Sequence, residues 1–299
     1  MTDEKLNTGS AVALGNFDGM HIGHYAVLEK AAEMSRKGLV PTVMLFDEHS
    51  LKSVTGEAPP RLMTDDERLV FLKEKGLRIQ TVNFADIRNL TPEQFVDDVL
   101  IKLFNAKAVV CGFNYRFGKG ATGDAALLES LCNSRGINCV TVNEILFGSI
   151  PVSSTAIRRS IENGDITLAN RMLGRPFGYT STVIDGDKRG RKWGFPTINQ
   201  RLPDGLVVPR YGVYKSVVTL DEREYAGVTN IGLRPTIGTD VVLSETHILD
   251  FDGDLYGRDV SVKLIRFIRP EQRFNSFDEL VQQIKNDCIM VKGGVSENV

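Results

Sequence analysis

Two of the chain's four histidines stand in one ten-residue run, Gly15-Asn16-Phe17-Asp18-Gly19-Met20-His21-Ile22-Gly23-His24. The three glycines let a backbone close around a ligand. Imidazole N–H groups can donate to phosphate oxygens and answer the charge that grows on a leaving pyrophosphate. His21 and His24 are three apart and share a face once a helix has begun, and a helix start favours anions. The plainer alternative is a glycine-rich turn with incidental histidines; finding both in one turn argues against it. A second run, Ser153-Ser154-Thr155-Ala156-Ile157-Arg158, reads as a helix cap, but a cap does not require Arg158 one turn later. Hydroxyls at Ser154 and Thr155 with that guanidinium form a phosphate grip. A third, Gly112-Phe113-Asn114-Tyr115-Arg116, is either a surface loop or another polar edge of the same site, contributing Asn114.

The second half carries a different set. Gly186-Asp187-Lys188-Arg189-Gly190-Arg191-Lys192-Trp193 is a basic, glycine-bounded loop that can lie over a polyphosphate, or a solvated basic turn. It runs into Gly194-Phe195-Pro196-Thr197-Ile198-Asn199, where Thr197 and Asn199 offer the oxygen ligands that Mg²⁺ prefers. Glu245 lies in a strand spanning residues 243–251, sharing a face with His247 and Leu249. An acid on an inward strand face is commonly a paired structural charge; its functional reading is a general base for an alcohol attacking phosphorus.

The elements that must hold these groups follow from periodicity. In the first ~175 residues, short apolar runs alternate with helical patterns, as expected for a parallel sheet with crossover helices. Strands are expected at 11–15, 41–46, 106–111 and 138–142, and a helix at 26–35. Thr64 with Glu67, and Thr91 with Pro92 and Gln94, open further helices. Two short helices follow at 154–163 and 166–173, with Gly174 placed to end the second. From Tyr179 the pattern changes to short alternating segments at 182–184, 213–220, 225–231, 245–251 and 259–264, which favour a small antiparallel barrel. Ser276 and Glu279 start a last amphipathic helix, ahead of a frayed tail over 293–299. The fold class is α/β, with domains at 1–178 and 179–292.

Composition narrows the partners. With 42% hydrophobic and 25% charged residues the chain is an ordinary globular one, and its net charge of -2 argues against a nucleic-acid binder. No apolar run approaches ~18 residues, so no membrane span is expected. The polar first ten residues do not resemble a secretory leader, and Cys111, Cys132, Cys139 and Cys288 show no CxxC spacing, so reduced thiols and a cytoplasmic location are expected. The sequence sets no oligomeric state.

Taken together the runs resemble the bifunctional bacterial riboflavin kinase/FMN adenylyltransferase (FAD synthetase) family over residues 12–287. Gly15 to His24 matches its G-x-F-D-G-x-H-x-G-H motif, Ser153 to Arg158 its S-S-T-x-I-R, and Gly194 to Asn199 its G-F-P-T-x-N. Residues 230–236 (NIGLRPT) and 250–257 (DFDGDLYG) match further segments. The resemblance implies a Rossmann-like nucleotidyltransferase domain followed by a riboflavin kinase barrel. It implies that His21, His24 and Arg158 act in adenylyl transfer, with Gly15, Phe17, Asp18, Gly19, Gly23, Asn114, Ser154 and Thr155 around the nucleotide. In the barrel it implies ATP and Mg²⁺ held by Gly186, Lys188, Arg189, Gly190, Thr197 and Asn199, with Thr197 and Asn199 on the metal. Glu245 matches the catalytic acid position. Riboflavin, FMN and ATP are the implied substrates, with Mg²⁺ as cofactor. Two departures stand out: residues 46–50 read FDEHS where F-E-P-H-P is commoner, and Ile198 replaces an alanine. The rivals are a nucleotidyltransferase acting on another phosphorylated alcohol, which leaves the barrel motifs unexplained, and a flavin-binding regulator without turnover.

Overall fold

The computed structural model describes residues 8–47, 56–186, 190, 193–236 and 239–293. The chain divides into two compact units. One comprises residues 1–59 and 65–153; the other comprises 60–64 and 154–299.

The first unit is a five-stranded parallel sheet. Its strands are β1 (Ser10–Leu14), β2 (Val40–Phe46), β3 (Arg78–Val82), β4 (Ala106–Gly112) and β5 (Asn138–Val142), in the order β3-β2-β1-β4-β5. All of β1 is buried, as is usual for a central parallel strand. Helices α1 (Ile22–Glu33), α2 (Asp65–Glu74), α3 (residues 92–103) and α4 (Ala125–Asn133) make the crossovers. Thr91 and Gln94 do form a reciprocal capping box at the start of α3, with Pro92 first in the helix. Strand order reverses between β1 and β4, and ligands of open α/β sheets bind beyond the strand ends at such a point.

Strand β3 was not expected from the sequence. Its residues, Arg-Ile-Gln-Thr-Val, bury only Val82. It is an edge strand, so it lacks the apolar run that marks its neighbours.

The second unit is a closed six-stranded antiparallel barrel. Strands β6 (Phe177–Ile184), β7 (Thr197–Arg201), β8 (Gly212–Leu220), β9 (Arg223–Thr236), β10 (Thr239–Ile248) and β11 (Asp259–Arg269) close in the order β6-β7-β10-β9-β8-β11. Closure leaves no free sheet edge. Helices α5 (Ser154–Glu162) and α6 (Ile166–Leu173) belong to this unit. Buried Asn170 on α6 ties them to it: its Nδ2 donates to Leu264 O at 2.9 Å, and its Oδ1 accepts from Phe177 N–H at 2.7 Å. Gly174 ends α6 in the left-handed region, at φ 72°.

Helix α7 (Phe277–Gly293) opens on Ser276, whose Oγ accepts from Glu279 N–H at 3.2 Å. Its Val291 packs with Val213, Val228 and Leu249 on the outer wall of the barrel. Arg269 binds the carboxylate of Asp287, which is 1% exposed, from Nε and from Nη2 at 2.8 Å, fixing the helix to the end of β11.

The barrel interior is partly polar. The Ser216, Thr229 and Thr246 hydroxyls are linked at 2.7 and 2.8 Å, and Tyr179 donates to Ser244. This corrects one expectation. Glu245 is not on an inward face: its neighbours Ser244 and Thr246 take the interior places, so alternation turns Glu245 onto the outer wall, half-buried. Alternation says which residues share a face, and only closure of the barrel says which face is inside.

Candidate active sites

In the first unit the Gly15–His24 run leaves the end of β1 and turns into α1. It is a constrained loop. Phe17, Gly19 and Met20 take φ of 51°, 76° and 42°. For Phe17 and Met20 such backbone costs about 1–3 kcal/mol each. Both side chains are fully buried, each contributing about 1.5–3 kcal/mol, so burial offsets the strain and locks the shape. The Phe17 ring lies under Gly15, 3.2 Å from where a Cβ would stand, and a Cβ on Gly23 would stand 3.1 Å from the His21 ring. With its ring sealed beneath the loop, Phe17 can offer a ligand only its backbone. Arg68 on α2 braces the turn, donating to Asn16 O at 3.2 Å and to Asp65 at 2.8 Å; no sequence motif marks it.

His21 is the N-cap of α1: its Nδ1 accepts from His24 N–H at 3.2 Å. A ring nitrogen that accepts cannot carry a proton, so this bond fixes neutral His21 with its proton on Nε2. The two rings stack at a centroid distance of 3.6 Å. Burial, and secondarily the charge His21 would carry, hold the His24 pKa well below the ordinary imidazole value. Its Nδ1 is sealed from solvent and has no hydrogen-bond partner among the described residues. The pair is therefore a stacked imidazole couple at a helix start, with protonation of His24 disfavoured by its burial.

Leu14 pairs with Cys111, so the loop carrying Asn114 leaves from the strand end beside this one. Asn114 is exposed in a tight turn closed by Tyr115 N–H on Gly112 O at 3.0 Å. Asp18 is buried with His21. Ser154, Thr155 and Arg158 begin α5 in the second unit, where Ile157 and Ile161 are fully buried and Arg158 Nε donates to Pro60 O.

In the barrel, the expected loop end at Thr197–Asn199 is strand β7. Its register with β10 sets Asn199 directly opposite Glu245 and Thr197 opposite His247. On the other side of Glu245, β9 sets Asn230. His247 Nδ1 lies 2.8 Å from Pro196 O. Two glycines make room: a Cβ on Gly186 would overlap the Asn199 amide, and one on Gly190 would overlap Phe195 O. The turn is closed by Trp193 and Phe195 N–H groups on Gly190 O at 3.0 and 2.9 Å. Gly186, Gly190, Thr197, Asn199 and Glu245 thus come together, while Lys188 and Arg189 lie outside the described residues, as do Glu48, His49 and Ser50. A cavity of about 200 Å³ opens beside Thr197 and Asn199, lined also by Thr246, Phe251, Asp254 and Tyr256 among others. The run over 250–257 had matched a motif without a role; the fold makes much of it a cavity wall.

A riboflavin kinase family model matches residues 173–293, and an FAD synthetase model matches residues 3–156. The bifunctional riboflavin kinase/FMN adenylyltransferase of Escherichia coli K12 is 39% identical over 93% of this chain and 90% of its own length. The chain belongs to this family. Relatives of the same description in Listeria monocytogenes and Bacillus subtilis are 35% and 34% identical, covering 92% and 90% of those proteins. A solved structure described as a macrolide-efflux protein from Streptococcus pneumoniae aligns over 96% of this chain and 94% of its own, at TM-score 0.88 and 31% identity. Among the described residues no helix is long and apolar enough to cross a membrane. The family's two descriptions fall one on each half of the chain: the FAD synthetase match covers the histidine loop, the riboflavin kinase match the Asn199–Glu245 pair.

Proposed function

We propose that each family activity is carried by the residues named above, in two chemically separate sites. The chain is an ATP-dependent enzyme of flavin cofactor synthesis: it phosphorylates riboflavin to FMN and adenylylates FMN to FAD, releasing pyrophosphate. The observation that supports the residue roles best is the cross-strand pair Asn199–Glu245 beside a glycine-lined turn, in the half matched by the kinase model.

In the kinase site, Glu245 accepts the proton of riboflavin's terminal ribityl hydroxyl as that oxygen attacks the γ-phosphorus of ATP in line, and ADP leaves. Thr197 and Asn199 supply a hydroxyl and an amide oxygen. These are hard donors that fit Mg²⁺, whose remaining ligands are ordinarily phosphate and water oxygens. The absence of side chains at Gly186 and Gly190 lets the Asn199 amide and the Phe195 carbonyl pack against the turn. When bound, the ion neutralises charge on the transferring phosphates. Lys188 and Arg189 are assigned to the same phosphates. The 200 Å³ cavity takes part of the nucleotide.

In the adenylyl-transfer site, an FMN phosphate oxygen attacks the α-phosphorus of ATP, and the bond to pyrophosphate breaks. His21 and His24 donate N–H groups to the charge developing on the phosphates, while Gly15, Asp18, Gly19, Gly23 and Asn114 hold the nucleotide. Ser154, Thr155 and Arg158 are assigned to phosphate binding through their hydroxyls and guanidinium. We assign residues 1–178 to adenylyl transfer and 179–292 to the kinase, in the cytoplasm.

The test is a product time course with riboflavin, ATP and Mg²⁺, with and without EDTA. FMN appears first and FAD follows, and EDTA stops both. Neither product in the presence of Mg²⁺ refutes the function, and turnover in EDTA refutes the metal assignment.

A further inference from the structure

A row of side chains crosses the outer wall of the barrel at Glu245: Val213 on β8, Asn230 on β9, Glu245 on β10 and Asn199 on β7 are successive register partners. Asn199 faces the glycine-lined turn. Asn230, on the other side, meets a group that no motif singled out. Glu271, just beyond β11, receives Asn230 Nδ2–H at 3.5 Å on its Oε1. The same oxygen occupies the space over Gly232, where any Cβ would overlap it. Gly232 does not have a positive φ, so its backbone does not require glycine. Its missing side chain instead leaves room for the carboxylate.

We propose that Glu271 is a positioning residue for the kinase step, acting through Asn230 on Glu245. This rests on the reading of Glu245 as the base. An asparagine amide can turn end for end, exchanging a donor for an acceptor at nearly the same place. An anion on one side accepts only from the NH₂ end, so Glu271 selects one of the two orientations. The second N–H of the same amide is then held on the side of its register partner Glu245, an acceptor, with opposed side chains about 4.5–5.5 Å apart. Without Glu271 the amide is free to flip, and Glu245 loses a constant neighbour on the side away from Asn199. The carboxylate then spends less time aligned with the attacking hydroxyl. That loss falls on turnover and not on substrate binding, because neither Glu271 nor Asn230 is asked to hold substrate.

The experiment compares Glu271→Ala, Glu271→Gln and Gly232→Ala with the wild-type full chain. Each is measured for riboflavin phosphorylation, for FAD formation from supplied FMN, and for thermal midpoint. Glu271→Ala should lower kcat of phosphorylation about tenfold with both KM values within about twofold. Glu271→Gln keeps an oxygen that can accept from Asn230 and should recover most of that loss. Gly232→Ala expels the carboxylate without removing it and should reproduce the Glu271→Ala defect. The double variant should be no worse than either single one, since both break one contact. FAD formation should be unchanged throughout. The inference is overturned if Glu271→Ala leaves kcat within twofold, if its effect is on KM, or if the two defects add. Should Glu271→Ala fail to fold, Gly232→Ala alone decides. Glu245→Ala runs alongside: full kinase activity there sinks the base assignment itself, while an inactive Glu245→Ala beside a normal Glu271→Ala sinks only this proposal.

Discussion

The two candidate sites, both assigned to holding a triphosphate for in-line attack, differ in architecture. The adenylyl-transfer loop owes its shape to strain balanced by burial: left-handed backbone at Phe17 and Met20 is held by sinking both side chains completely. The kinase site owes its shape to strand register, with Asn199, Glu245 and Asn230 aligned by the ladder itself. A loop of the first kind is vulnerable to changes in the core beneath it. A wall of the second kind tolerates such changes but not a register slip, since one residue of shift would turn Glu245 to the interior. On the proposed roles, the first site meets developing charge with imidazole donors, and the second takes a proton with a carboxylate.

If that contrast is right, the largest effect belongs to Glu245. Glu245→Ala should lower kcat of riboflavin phosphorylation by about 10²–10⁴, the usual worth of a general base, and leave FAD formation from supplied FMN intact. Chromatography of products from each substrate separately reads both arms, and a parallel fall in FAD formation would mean that Glu245 serves both reactions. Next is His24→Ala, expected to reduce FAD formation by about 10²–10³ while FMN accumulates at the normal rate, comparable with loss of one donor to a developing anion. Equal loss of both products would refute separate sites.

The smallest effect is on stability. The pKa of His24 is lowered in the folded chain, so between its folded value and the unfolded value of 6.5 the unfolded chain binds more protons. Stability at this position is therefore fully present above 6.5, falls as pH drops through that window, and levels off below the folded pKa. The slope from one group is at most about 1.4 kcal/mol per pH unit. His24→Gln should flatten the acid side of a denaturation-midpoint profile against pH. An unchanged profile would mean that His24 is not kept neutral by its surroundings.

Much of this was legible in residue order. Apolar runs marked β1, β2, β4 and β5, and the glycine- and histidine-bearing motifs stood out where those runs end. The capping pairs at Thr91–Gln94 and Ser276–Glu279 were readable because caps are local hydrogen bonds. Strand β3 was not, since an edge strand buries too little to show a pattern. Strand β7 was not either: Pro196, Thr197 and Asn199 read as turn residues, and only pairing with β10 makes them extended. Arg68 and Glu271 were invisible for a third reason. Each acts on a residue 52 or 41 positions away, and a lone charge carries no spacing signal.

Residue types and their local order alone determined two phosphate-binding motif sets, the helix starts and the change from a parallel sheet to a barrel, because those depend on neighbours within a few positions; the two reactions came from the resemblance to the family. Tertiary structure alone decided which face of β10 Glu245 occupies, which asparagines flank it, and that the paired histidines are stacked with the His24 pKa lowered by burial. Those facts depend on barrel closure, strand register and burial, which are set by chain segments distant in sequence.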